Sequence, residues 1–101
     1  MNKHMLQQAQ RLQAQLLKAQ EELANMTVEA SSGGGAVTVT MNGQQQILSV
    51  KIAREVVDPE DIEMLEDMVL SAVKEAQVKA QEAAAKKMGG LTGGLKIPGL
   101  T

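Results

Sequence analysis

Residues 37–52 read VTVTMNGQQQILSVKI, and they point to a pair of strands at the centre of the chain. Val37, Val39 and Met41 alternate with Thr38 and Thr40, a period of two that puts β-branched and apolar side chains on one face of a strand. Asn42-Gly43 follows, a pair that tolerates the positive φ of a tight hairpin turn. Leu48, Val50 and Ile52 then share one face of a return strand, with Ser49 and Lys51 on the other. Upstream, Thr27 to Ser31 reads as a short extended piece, and Ser31 to Gly35 as a flexible connector rich in helix breakers. The economical arrangement is a three-stranded antiparallel meander.

Helical patterns flank the meander. From Met5 to Met26 the apolar positions Met5, Ala9, Leu12, Leu16, Ala19, Leu23 and Met26 step alternately by four and three, an unbroken heptad seam that wants a partner helix. Gln, Ala, Lys and Glu fill the intervening positions without Gly or Pro, and at 1.5 Å per residue the segment is about 35 Å long. On the other side, Asp58-Pro59-Glu60-Asp61 reads as a helix start, with Asp58 as cap and Pro59 in the first helical position. The helix is expected from Pro59 to Met88, with Ile62, Leu65, Val69, Ala72, Ala76 and Ala83 on its buried stripe and Gly89-Gly90 as its stop. Residues 1–88 thus form one domain, and 89–101 a flexible Gly-rich tail. The fold class is α+β.

Composition narrows the function. A chain of 101 residues has little room for a large catalytic cleft. It contains no Phe, Trp or Tyr, so stacking of bases or sugars on aromatic rings is excluded, and seven Met help to fill the core instead. With no Cys there is no disulfide, thiolate metal site or cysteine nucleophile. Neither a membrane span nor an apolar secretion signal is evident, and a soluble intracellular protein is expected. His4 is the sole histidine and has no companion ligand. The acids Glu55, Asp58, Glu60, Asp61, Glu63, Glu66 and Asp67 lack the ligand spacing and central Gly of a calcium loop. Gly33-Gly34-Gly35 lacks the Lys-Ser or Lys-Thr of a phosphate cradle, and no serine has a base to activate it. No enzyme, metal, cofactor or small-molecule substrate is expected.

Two features remain. A three-stranded sheet covers only part of two long helices, so the distal apolar seams call for a partner, and a second copy is the commonest solution; a monomer with both helices folded flat across the sheet is the alternative. Charge is also segregated, although the net is only −2. Residues 1–20 carry Lys3, Arg11 and Lys18 and no acid, and residues 74–96 carry Lys74, Lys79, Lys86, Lys87 and Lys96 against Glu75 and Glu82. Each of these segments has a net of +3, which leaves −8 for the rest. His4, Arg11 and Lys18 recur every seven residues on the face away from the seam, an outward cationic stripe suited to phosphates. Solubility is the plainer reading of the same charges, since Glu75 to Lys79 and Glu82 to Lys86 are i,i+4 pairs.

Several stretches are familiar in combination: Met41-Asn42-Gly43, Val50-Lys51-Ile52, Asp61-Ile62-Glu63-Met64-Leu65-Glu66-Asp67-Met68-Val69, Gln8-Ala9-Gln10, Gln20-Glu21-Glu22-Leu23 and Gly93-Gly94-Leu95-Lys96-Ile97-Pro98-Gly99. Together they resemble the YbaB/EbfC family of bacterial nucleoid-associated proteins over nearly the whole chain. The resemblance implies a tweezer-like homodimer, sheets joined at the base and helices projecting as arms, that binds double-stranded DNA with limited sequence preference and organises the cytoplasmic nucleoid. Carried over by position, Lys3, Arg11 and Lys18 face DNA from the first arm helix and Lys79, Lys86 and Lys87 from the second. The implied dimer interface comprises Val37, Val39, Met41, Leu48, Val50, Ile52, Leu65 and Val69. Gln7 and Gln15 stand where family members often carry bases, and Lys74 where many carry Asn. The competing reading is a helical interaction module, an adaptor or holdase gripping apolar protein segments through its Met- and Leu-rich arm.

Overall fold

A computed structural model of the chain describes residues 2–92. Helix α1 (Lys3–Asn25) leads into strands β1 (Thr27–Ser32), β2 (Val37–Asn42) and β3 (Ile47–Ile52), followed by a short 3-10 turn at Arg54–Val56 and helix α2 (Ile62–Thr92). The sheet is the expected antiparallel meander in the order β1-β2-β3. The chain's principal extents are 69 × 26 × 17 Å and its radius of gyration 19.4 Å, against about 13 Å for a compact chain of this length. The helices reach well beyond the core.

That core is small and lies between one sheet face and one helix. Val37, Val39 and Met41 on the central strand are fully buried, with Ala30 from β1, beneath Ala72, Ala76 and Ala80 of α2. Alanines at i, i+4 and i+8 form a flat stripe that lets the helix backbone approach the bulky strand residues. Leu65, Met68, Val69 and Val73 pack around this centre. Helix α2 covers β1 and β2, so β3 is left at the edge with Val50 and Ile52 exposed.

Several local expectations change. Asn42-Gly43 does not form a two-residue turn: the loop runs through Gln46, and Gln45 carries the positive φ of 63°. Asn42 organises the loop, its Oδ1 accepting from the backbone N–H groups of Gln44 at 2.9 Å and Gln46 at 3.0 Å. The register also shifts, since Thr40 faces Ser49 but Met41 faces Ile47, which leaves Leu48 as the extra residue of a bulge. Gly33, Gly34 and Gly35 make a defined turn with φ of 60°, 68° and 95°, a left-handed path that side chains resist.

Helix α2 begins three residues later than expected. Asp61 is its cap, Oδ1 accepting from Met64 N–H at 3.2 Å, while Asp58 closes the preceding turn by accepting from Glu60 N–H at 3.0 Å. Pro59 therefore precedes the helix, and Ile62 is exposed rather than on the buried stripe. Nor do Gly89 and Gly90 stop it: α2 continues to Thr92, because a glycine lowers helix stability without preventing the helical conformation. The expected tail beyond this point lies outside the described residues. Among the described residues no helix is long and apolar enough to cross a membrane.

Candidate nucleic-acid interface

The root of α1 is fastened at the loop between β2 and β3. Gly43 N–H donates to the Leu23 carbonyl at 2.9 Å and to Met26 O at 3.1 Å. A Cβ on Gly43 would lie 2.8 Å from the Leu23 carbonyl oxygen, so this glycine is required for close approach of two backbones rather than for a turn. Asn42, almost wholly buried, donates from Nδ2 to the Ala24 carbonyl at 3.3 Å and to Gln46 Oε1 at 2.7 Å. Gln44 Nε2 adds a bond to the Gln20 carbonyl at 3.1 Å.

Beyond this joint α1 is an open lever. Ala19 and Leu23 are buried against the rest of the chain, whereas residues 2–18 are exposed throughout. Asn2 caps the far end, its Oδ1 accepting from Met5 N–H at 2.8 Å. Lys3, Arg11 and Lys18 project from this lever. Arg11 and Lys18 are separated by two helical turns, about 10.5 Å along the axis, and Lys3 lies about 22 Å from Lys18.

The three lysines of α2 have different surroundings. Lys87 Nζ is ion-paired with Glu22 Oε2 across the two helices. The Glu22 carboxyl is held below its usual pKa, chiefly by the hydrogen bond from Lys87, which outweighs the opposing effect of desolvation, with smaller contributions from the charges of Lys87 and Lys18. Lys79 Nζ donates to the Glu29 carbonyl at 2.9 Å and so ties α2 to β1. Lys86 is exposed beside the cleft lined by Val28, Lys79, Glu82 and Ala83. The fold thus gathers Lys18, Lys86 and Lys87 near the arm root, leaves Arg11 and Lys3 farther out, and gives Lys79 and Lys87 intramolecular roles as well. Lys74 is exposed on α2.

The acids gather at the other end of α2. Asp61, Glu63 and Asp67 line a shallow cleft with Ser32, Gly33, Met64, Met68 and Ser71, and Ser32 Oγ donates to the Met68 carbonyl at 2.6 Å within it. Among the described residues no group of three or more His, Asp or Glu is arranged to hold a metal ion.

Between β3 and α2 runs an apolar groove of about 440 Å³ formed by Ile52, Leu65, Glu66, Val69, Leu70 and Val73. Of the residues expected at a dimer interface, Val37, Val39 and Met41 have no exposed surface within a single chain. They belong to the chain's own core because α2 closes over the central strand. Leu48, Val50 and Ile52 are exposed, and Leu65 and Val69 are half-buried. Leu70, 54% exposed, and Val73 were not expected there. The signal for them is the breadth of the apolar arc on α2 between Leu65 and Val73, wider than one sheet face occupies. Glu22 was equally invisible, since its partner lies 65 residues away in the chain.

Comparison with known proteins agrees with this architecture. The chain is 55% identical over 96 residues to a nucleoid-associated protein of Pelotomaculum thermopropionicum, covering 95% of this chain and 91% of that protein. It is 57% identical over 95 residues to one of Syntrophobacter fumaroxidans, covering 94% and 86%. The crystal structure of an uncharacterized Helicobacter pylori protein shares the fold with a TM-score of 0.70 at 20% identity, covering 94% of this chain and 97% of that one. The sequence profile of the YbaB/EbfC DNA-binding family matches residues 1–95, and the chain belongs to that family.

Proposed function

We propose that two copies of the chain join through the β3–α2 groove and bind double-stranded DNA with their helical arms, as a nucleoid-associated protein of the cytoplasm that contributes to nucleoid organisation and gene regulation. The observation that carries this reading is the exposure of α1: a lever of about 34 Å whose outer face presents Lys3, Arg11 and Lys18 and whose first two-thirds contribute nothing to the core. Lys86 extends the basic surface onto α2, with Lys79 and Lys87 contributing charge from tethered positions. Without aromatic residues, the contacts are to phosphates rather than stacked bases, and sequence preference is correspondingly limited.

The groove supplies the second copy. Leu70, Val50 and Ile52 are exposed beside half-buried Val69 and Val73, and covering such side chains is favourable at about 25 cal/mol per Å². A two-fold axis on this patch would set each protomer's groove against the other's.

The test is a salt titration of binding to long duplex DNA. Affinity should fall steeply with salt, and Arg11→Glu with Lys18→Glu should weaken binding and flatten the slope of log K against log[salt] by about 2 per protomer, with an unchanged circular dichroism spectrum. Salt-insensitive binding, or unaltered affinity in the double variant, refutes the reading. At low protein concentration Leu70→Glu should sediment as a monomer under conditions in which the wild type is dimeric.

A further inference from the structure

Pairing through the groove accounts for one apolar surface and leaves another. Along the α1 seam, the chain's own core closes over Ala19 and Leu23, whereas Met5 is 58% exposed, Leu12 38% and Leu16 36%, with Ala9 exposed between them. These are successive core positions of one heptad pattern, the geometry in which a helix receives the knobs of another helix.

The margins of the seam indicate what covers it. The positions flanking Met5, Leu12 and Leu16 in the heptad are Leu6, Gln8, Gln13, Gln15 and Gln20, all uncharged, while Lys3, His4, Arg11 and Lys18 lie on the outer face. Such flanking positions normally select a partner by opposite charge and reject a like-charged copy. Here an identical helix meets no like charge at the margin, and a charged foreign helix gains nothing there. The neutral border therefore favours a second α1.

Location separates this contact from the groove. Helix α1 is fastened at the loop between β2 and β3 and beside Lys87. The groove lies toward the opposite end of those strands, where Ile52 pairs with Val37, and toward the start of α2. Val73, the last groove residue, precedes Lys87 by about 21 Å of helix. A molecule with two self-complementary patches at separate places, each closed by its own two-fold axis, joins copies in succession instead of stopping at a pair.

We propose that α1 seams of different copies pair as a short coiled coil through Met5, Ala9, Leu12 and Leu16, linking one dimer to the next. The linkage of dimers rests on the groove reading of the preceding section; the pairing of arms does not. The contact spans barely two heptads, so it is weak and concentration-dependent, and it leaves Lys3, Arg11 and Lys18 facing outward.

Sedimentation velocity of the full chain in DNA-free buffer, over a wide range of concentration, tests this with three proteins: the wild type, Leu12→Gln with Leu16→Gln, and Leu70→Glu. The wild type should show species larger than a dimer that grow with concentration. Leu12→Gln with Leu16→Gln should remain dimeric at every concentration, with unchanged helicity. Leu70→Glu, unable to use the groove, should still self-associate, and adding the two Gln substitutions should abolish that association. The proposal is overturned if the wild type never exceeds a dimer, if the two Gln substitutions leave the distribution unchanged, or if they dissociate the dimer itself, which would assign the seam to the groove-paired dimer. It is also overturned if the seam captures unfolded client protein without self-association. Should Leu70→Glu remain a full dimer, the groove reading fails while the Gln variant still decides the arm pairing.

Discussion

The two helices of this chain draw on similar residues and meet opposite fates. Both repeat Ala, Leu, Lys, Glu and Gln, and both have a helical apolar periodicity. Helix α2 sets Ala72, Ala76 and Ala80 against Val37, Val39 and Met41 and disappears into the core along that line. Helix α1 carries larger apolar residues, Leu12 and Leu16, at its seam and leaves them exposed. Side-chain size therefore does not decide which helix is buried. What decides is the surface opposite: β1 and β2 offer α2 a continuous face, whereas α1 is connected to the body only through its last two turns. The division leaves α2 to provide stability and α1 to reach outward.

The same charge placed in both regions should have very different effects. Val39→Asp puts an unpaired carboxylate where α2 lies flat on the sheet, and a buried, unpartnered charge costs several kcal/mol, about as much as a domain of this size has to lose. We expect that protein to be largely unfolded by circular dichroism and urea titration. Leu17→Asp, on an exposed arm position, should change stability by no more than about 0.5 kcal/mol. Comparable losses in the two variants would mean that the arm is part of the cooperative core.

A smaller effect is expected at the joint between the regions. Gly43→Ala would drive a methyl group to 2.8 Å from the Leu23 carbonyl, and because the obstruction is backbone, α1 must shift or the loop must open. The expected cost is about 1–3 kcal/mol. Asn42→Ala should fall in the same range, about 1–3 kcal/mol, by leaving the Ala24 carbonyl and the loop N–H groups without their partner. Urea midpoints measure both. The diagnostic result is amide exchange: protection should fall at residues 20–26 and 42–46 before it falls in β2.

This joint also marks the limit of what the chain discloses on reading. The alternation from Val37 to Met41, the heptad steps of α1 and the acidic start of α2 are local patterns, and the meander between two helices follows from them. Asn42-Gly43 signals a bend between strands, but the same two residues are fixed by α1 from 18 to 20 residues away, so the local rule identifies the place and misassigns the reason. The central-strand apolar residues raise the same difficulty. Their periodicity shows that one face is covered, and only the position of α2 shows that this cover belongs to the same chain. Of the candidate site, exposed charge on a regular helix is legible in Lys3, Arg11 and Lys18, because heptad position determines facing. The tethering of Lys79 to β1 and of Lys87 to Glu22 depends on where two distant segments meet.

The Lys87–Glu22 pair yields the smallest effect and the closest test of how separate the regions are. It bridges α1 and α2 at the arm root while occupying one of the cations proposed to meet phosphate. Glu22→Gln removes a negative charge from the basic surface and releases Lys87, so DNA affinity should rise by about twofold at low salt, with the gain vanishing as salt screens the surface. The same substitution loosens the bridge slightly, as expected of a pair that is partly open to solvent. Its pH dependence has a defined sign. Because the Glu22 carboxyl in the folded chain titrates below its usual value, the bridge contributes above the ordinary carboxylate pKa and is lost as pH falls through the lowered one. The difference in urea midpoint between the wild type and Glu22→Gln should therefore be largest near neutrality and close toward strongly acidic pH. A difference that persists there would mean that Glu22 holds the arm by packing rather than charge, and that Lys87 is already free to meet DNA.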